Sequence, residues 1–352
     1  MIDKQPKVAA IQVNHCGKID AALDRAYKVI EANINGELKG VDLIGFPDHW
    51  LHTAHPHKNV EKIPGPTTDA VGDLARKYNA YVVISLYEQG EPGRFVWLNH
   101  PMPYKVYNTN VLIGPDGRVV GTHRRTNFTI CEALGNDYNV FDTEIGRVAM
   151  TSCGEMCYPE VMRIYALQDA DFLIWTSTHI DFRGIEHMPA DKMPCKAPPL
   201  DLPLLYWKVQ VRNSMRKWQA WKPPVFSSVV AWQNDFVVIC ANSSGEEALA
   251  GTAYKMQYLG GSRISYPFGI LAKAGAEECA IAAVIPDLEE MRQMRELFRA
   301  SRRPETYGLV SALENLRAEK PCASDSFAST WSSLSGERQC YFPPLEEGSN
   351  QE

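Results

Sequence analysis

The sequence predicts an α/β fold in which two β-sheets pack face to face between outer layers of helix. Two observations carry this. Short apolar runs of strand length alternate with stretches of helical period through the first third of the chain, and a second region of similar rhythm follows after residue 145. The apolar runs read as buried on both faces, so each half needs helix on one side and a second sheet on the other.

The elements follow in order. Residues 8–13 read as a strand, 19–33 as a helix, 42–47 as a strand, 67–78 as a helix and 80–86 as a strand. Residues 107–113 and 119–123 flank Pro115-Asp116-Gly117 and predict a β-hairpin across a glycine-containing turn. Residues 148–153 form a strand that runs into a turn, and 159–168 read as a helix with Pro159 in its first turn. A buried strand follows at 172–176.

The rhythm then breaks. Between residues 181 and 224 lie seven prolines, at 189, 194, 198, 199, 203, 223 and 224, on both sides of a helical patch at 204–221. This reads as an insertion, a lid or an interface arm. A helix at 226–234, a strand at 236–242, a hairpin at 263–271, a strand at 279–285 and a charged helix at 287–299 complete the second half. The expected organisation is one domain over 1–300 carrying the Pro-rich insertion, then an arm or tail rich in Ser, Glu and Pro over 301–352.

Composition narrows the function. The chain of 352 residues is 45% hydrophobic and 22% charged, enough apolar content for a sizeable core. Its net charge of −6 gives no overall attraction to nucleic acid or anionic membrane, and no segment reaches the roughly 20 consecutive apolar residues of a membrane span. Nine cysteines, an odd set, and an N-terminus without a secretory apolar run suggest reduced thiols and a cytoplasmic location. The common dinucleotide and P-loop signatures are missing, and no cofactor is expected. The dense cluster His49, His52, His55 and His57 lacks the accompanying spacing of a zinc motif, so it is read as substrate wall or interface and not as a metal site.

The most informative segment is Thr151-Ser152-Cys153-Gly154-Glu155-Met156-Cys157-Tyr158-Pro159-Glu160. It puts a thiol at a strand end before a helix, where partial positive charge from backbone N–H groups favours the reactive thiolate. The plain alternative is a small buried hydrophobe.

With this segment stand Phe46-Pro47-Asp48 after an early strand, His123-Arg124-Arg125 after the hairpin, Phe141-Asp142-Thr143 before Gly146-Arg147-Val148, and Gly260-Gly261-Ser262-Arg263-Ile264. In order and spacing they resemble the nitrilase, or carbon–nitrogen hydrolase, superfamily over residues 6–300. The spacing from Cys153 to Pro159-Glu160, the segment Ile63-Pro64-Gly65-Pro66 and Ala231-Trp232-Gln233-Asn234 look closest to its aliphatic amidase branch.

The resemblance implies a four-layer αββα sandwich, a homodimer or larger homo-oligomer, and a cysteine nucleophile acting on an amide-like carbon of a small molecule through a thioester. It also implies a glutamate base and an oxyanion-stabilising lysine. Carried over, the nucleophile is Cys153, the base position holds Asp48 and the lysine position holds Arg125, so two of the three depart from the family pattern. A second family glutamate corresponds to Glu132, and Glu155 matches an acidic residue that orients neighbours. Glu155, Trp175, Thr176 and His49 are the expected substrate-side residues.

The departures have separable consequences. Replacing Glu by Asp withdraws the carboxylate by about 1.5 Å, and a misplacement of roughly 1 Å can cost on the order of a hundredfold in rate. Arginine keeps the charge and donors for an oxyanion but does not exchange a proton as lysine does. A close Asp48–Arg125 pair would weaken the base, whereas Asp48 against Cys153 would keep it competent. Three outcomes follow: amide hydrolysis; an altered reaction such as acyl transfer, condensation or nitrile or amidine chemistry; or a homologue that binds ligand without turnover.

Overall fold

The computed structural model describes residues 5–14, 19–50, 58–97, 100–127, 132–181, 212–248 and 255–310. The tail from residue 311, residues 182–211 of the Pro-rich segment, Cys131, His52, His55 and His57 lie outside this set.

Two six-stranded sheets form the centre of the molecule. The first runs in the order β15 (Cys279–Val284), β1 (Lys7–Gln12), β2 (Leu43–Gly45), β3 (Tyr81–Trp97), β4 (His100–Ile113), β5 (Val119–Arg124). The second runs β14 (Gly269–Lys273), β13 (Arg263–Tyr266), β10 (Val237–Asn242), β8 (Phe172–Ser177), β7 (Gly146–Ser152), β6 (Val140–Thr143). In each sheet three parallel strands, β1-β2-β3 and β7-β8-β10, are flanked by antiparallel ones. A smaller sheet joins β11 (Ser244–Ala248), β12 (Lys255–Leu259) and β9 (Ile180–Asp181), and no pattern in the sequence marks it.

Side-chain alternation makes the four layers. Val8, Ala10, Leu43, Val83 and Leu112 from the first sheet meet Val148, Met150, Phe172, Ile174, Val237 and Ile239 from the second. The alternate residues Ala9, Ile11, Ile44, Val82 and Ile84 face helices α1 (Ile19–Asn33) and α2 (Pro66–Tyr78). Ala149, Leu173, Trp175, Val238 and Cys240 face α3 (Pro159–Leu167) and α4 (Arg212–Asn234). Each parallel strand is therefore apolar at successive positions because both of its faces are covered.

At the seam between the sheets, a Cβ on Gly121 of β5 would run into the ring of Phe141 on β6, so only a glycine lets these two strands approach. Helix α5 (Leu288–Ala300) buries Leu288 and Met291 against the sheet-to-sheet core and ties Arg292 and Arg295 to the buried Asp171.

Two expectations change. The third strand does not stop at residue 86 but continues to Trp97 and pairs with β4 from His100, making a long hairpin. Gly90, Pro92 and Gly93 sit at register shifts between Gln89 and Pro92 and between Pro92 and Phe95, where bulges accommodate them. Their far side buries Phe95, Trp97, Met102 and Val106 in a separate cluster with Tyr87. The second change is that α4 runs without a break from Arg212 through Pro223 and Pro224, joining two expected helices. Ser227 Oγ donates back to the Pro223 carbonyl one turn earlier (2.5 Å), the back-bond of a helical serine.

Candidate active site

Three chain segments end at the same edge of the sandwich. Asp48 follows β2, Arg125 follows β5 and Cys153 follows β7. The two sheets are linked there directly, because the Asp48 N–H reaches the Ser177 carbonyl at the end of β8 (3.3 Å).

Cys153 begins a single 3-10 turn, Cys153–Cys157, with φ at +42°. That left-handed conformation costs a non-glycine residue on the order of 1–3 kcal/mol, so neighbours must hold it. Trp175 Nε1 donates to the Cys153 carbonyl (3.0 Å), and the Ser152 N–H donates to Glu155 Oε2 (2.9 Å). The α-helix expected from Pro159 starts there. Arg125 is a full positive charge whose field reaches the thiol.

Arg125 is 5% exposed. Its N–H donates to the Asn108 carbonyl (2.8 Å) and its carbonyl accepts from the Gly135 N–H (2.8 Å), which extends the β4–β5 ladder past the last formal strand residue. Burial works against the guanidinium charge. Cys153, Asp48, Glu132 and Glu155 oppose that penalty and together raise the Arg125 pKa above its ordinary value. One buried cation therefore feels the thiol and all three carboxylates that the sequence singled out.

Asp48 is 1% exposed. Ser85 Oγ donates to its Oδ1 (2.7 Å), and Asn108 Nδ2 approaches the same oxygen (3.4 Å). A bidentate pair with Arg125 is not among its described contacts. His49 also has a left-handed backbone, φ +52°, steadied by its N–H donating to Ser85 Oγ (2.8 Å). Its ring stacks on Tyr87 at 4.2 Å and accepts at Nε2 from Asn108 Nδ2 (2.8 Å). The same Nε2 stands 3.4 Å from Asp48 Oδ1.

Glu155 is fully buried and receives five donors: the Thr126 N–H (2.6 Å), Thr126 Oγ1 (2.8 Å), the Ser152 N–H (2.9 Å), His123 Nε2 (3.0 Å) and Thr151 Oγ1 (3.3 Å). Burial alone would raise its pKa; His123 and the two backbone N–H groups reverse that and hold it at about 2. Tyr165 OH stands 3.3 Å from His123 Nδ1 on the other side, and burial keeps that phenol well above its ordinary pKa. Glu155 thus pins the Cys153 turn of the second sheet to the Arg125 turn of the first.

The expected substrate-side set divides accordingly. Glu155, Trp175 and Thr176 have no exposed surface, and protein groups take their polar atoms, Thr176 Oγ1 donating to Asn110 Oδ1 (3.0 Å). Residues at the ends of central strands are covered by the neighbouring layer, and these three are enclosed in that way. His49 lies beside Asp48, and Glu132 is half-buried within reach of the Arg125 charge. Sequence reasoning missed Ser85, Asn108, His123 and Thr126 as site residues. For Ser85 the available signal was a hydroxyl inside an otherwise apolar run, which needs a buried partner.

Comparison with known proteins finds relatives of this chain. A profile described as Carbon-nitrogen hydrolase matches residues 7–296. Omega-amidase NIT2-B of Xenopus laevis is 24% identical over 304 residues, covering 81% of this chain and 90% of that protein. Among solved structures, a carbon-nitrogen hydrolase of Helicobacter pylori superposes with a TM-score of 0.64 at 19% identity, covering 88% of this chain and 100% of its own. Nit3 of Saccharomyces cerevisiae, a nitrilase-superfamily member, gives 0.61 at 18% identity, with 86% and 98% covered.

Proposed function

Since the chain belongs to the carbon–nitrogen hydrolase family, we propose that it hydrolyses the amide of a small molecule through a thioester on Cys153. What supports this reading is that Asp48, Arg125 and Cys153 follow β2, β5 and β7 at one edge of the sandwich, with Asp48 and Arg125 buried there. A carboxylate, a cation and a thiol brought together in this way can act on one carbonyl carbon.

In this reading Asp48 accepts the thiol proton, and the Cys153 thiolate attacks the amide carbon. Negative charge then gathers on the carbonyl oxygen beside Arg125, which stabilises it without itself giving up a proton. Asp48 returns the proton to the leaving nitrogen and ammonia or an amine departs. Asp48 then takes a proton from the water that attacks the thioester, releasing the acid and the thiol. Glu132 orients Arg125 or the substrate amide. His49 borders the substrate beside Asp48.

The test is the rate at which iodoacetamide alkylates Cys153, followed by peptide mass spectrometry across pH, for the full chain and for Asp48→Asn. Fast alkylation persisting well below pH 8 and lost in Asp48→Asn is the expected result. A slow rate that rises only near the free-thiol pKa of about 8.5, indifferent to Asp48, would overturn the mechanism and favour a homologue that binds ligand without turnover.

A further inference from the structure

Asp48 stands where the resemblance implies a longer carboxylate, and the structure shows what surrounds the shorter one. The hydrogen bonds it receives from described residues fall on a single oxygen, Oδ1: from Ser85 Oγ at 2.7 Å and, more distantly, from Asn108 Nδ2 at 3.4 Å. Ser85 has no exposed surface and does two things at once. It donates to the carboxylate and accepts from the His49 N–H (2.8 Å), so one hydroxyl fixes both the side chain of residue 48 and the left-handed backbone of residue 49.

Asn108 makes a second, independent case. Its amide gives both hydrogens to this corner, to His49 Nε2 and toward Asp48, while its own Oδ1 is buried without a partner among the described residues. An unpaired buried carbonyl is costly. Turning the amide round would set that oxygen against the carboxylate, so the unpaired atom is the consequence of aiming the donors at Asp48 and His49.

We propose that Ser85, assisted by Asn108, is the positioning residue for the base: it anchors Oδ1 of Asp48 so that Oδ2 is presented to the Cys153 thiol. The step served is a plain proton transfer, in which the S–H bond breaks, an O–H bond forms on Oδ2 and no other reactant takes part. A glutamate would carry its oxygens about one bond further, beyond the place where Ser85 holds them, so serine at 85 and aspartate at 48 belong together. Ser85 acts through Asp48 and touches neither substrate nor thiol. Its role rests on the reading of Asp48 as the base.

The experiment is the iodoacetamide alkylation of Cys153 in the full-length chain, measured across pH for Ser85→Ala, Asp48→Asn and the double variant, with thermal melts to show that each is folded. Ser85→Ala is expected to slow alkylation at pH 7 by about tenfold, less than the roughly hundredfold of a base displaced by a full ångström, and to move the profile toward higher pH. The double variant should be no slower than Asp48→Asn alone, because the serine has nothing left to position. A Ser85→Ala profile that overlays the unsubstituted chain, while Asp48→Asn is slow, would overturn the positioning role and leave the base reading standing. Additive losses in the double variant would also overturn it. If Asp48→Asn itself changes nothing, the base reading falls and the positioning role with it. Should Ser85→Ala not fold, Asn108→Ala takes its place in the same cycle, and the same outcomes support or overturn the role.

Discussion

Asp48 and Glu155 are both carboxylates with almost no exposed surface, at the ends of strands in opposite sheets, and they are treated oppositely. Glu155 has five donors divided between its two oxygens, two of them backbone N–H groups and one a histidine, and is held as an anion with a pKa of about 2. Asp48 has one short bond, from a neutral hydroxyl, on one oxygen. The first arrangement uses a fixed negative charge to join two turns. The second leaves Oδ2 without a hydrogen bond from the described residues, which is what the proposed base role needs. Equal burial thus covers two different hydrogen-bond environments, told apart by the number and kind of donors.

Substitutions can break or sharpen this contrast. Cys153→Ala should abolish amide turnover, a loss on the order of 10⁴-fold or more, with the melting transition nearly unchanged; a continuous assay of ammonia release checks it. Arg125→Ala should follow, lowering kcat by about 10²–10³-fold, with the larger effect in kcat than in KM because the proposed mechanism sets this charge against the oxyanion. Parallel loss of binding and turnover would point instead to a collapsed site.

The carboxamide isosteres test the contrast most directly. Glu155→Gln sets an NH₂ group against donors from Thr126, Ser152 or His123 and should cost on the order of 3 kcal/mol in urea unfolding. Asp48→Asn keeps an oxygen for Ser85 and should stay within about 1 kcal/mol while losing activity. Equal destabilisation by the two would remove the distinction.

Acid unfolding supplies a further check. The folded-state pKa of Glu155 is depressed from 4.5 to about 2, so its stabilisation is complete above its ordinary value and is lost as pH falls from there through about 2. Glu155→Gln should flatten that limb of the stability curve, read from urea midpoints between neutral and acid pH. The smallest effect expected is at a carboxylate remote from the site. Asp287 caps α5 by accepting the Glu290 N–H (2.8 Å), and Asp287→Ala should cost about 1 kcal/mol with turnover unchanged.

The contrast between the two carboxylates is not legible in the sequence. The Cys153 segment stands out there because a thiol between a strand and a Pro-started helix is unusual, and Asp48 and Arg125 stand out through their place in ordered motifs. Glu155, by contrast, groups with Trp175 and Thr176 on the expected substrate side, and the structure encloses all three. Ser85 lies inside Tyr81–Trp97 as a hydroxyl among apolar residues, and Asn108 inside His100–Ile113; neither has a sequence neighbour that reveals its partner. Their shared partner, Asp48, is 37 and 60 residues away, brought close only by strand pairing.

What the sequence determined by itself is local or periodic. Alternating apolar periods prescribe strands and helices buried on stated faces, and these suffice for two sheets between helices, because few layer arrangements cover so many doubly apolar strands. Turn chemistry placed the β4–β5 hairpin. The apolar run that ends at residue 86 understated the third strand, which continues to Trp97 because pairing with β4 absorbs Gly90, Pro92 and Gly93 as bulges. The tertiary structure alone decided which carboxylate is saturated and which is left with an oxygen to spare, that the buried Arg125 is in electrostatic reach of Cys153, and that Ser85 bonds the shorter carboxylate. Each depends on the distance and direction between groups on different strands, and a periodicity read along one strand carries no information about what the neighbouring strand presents.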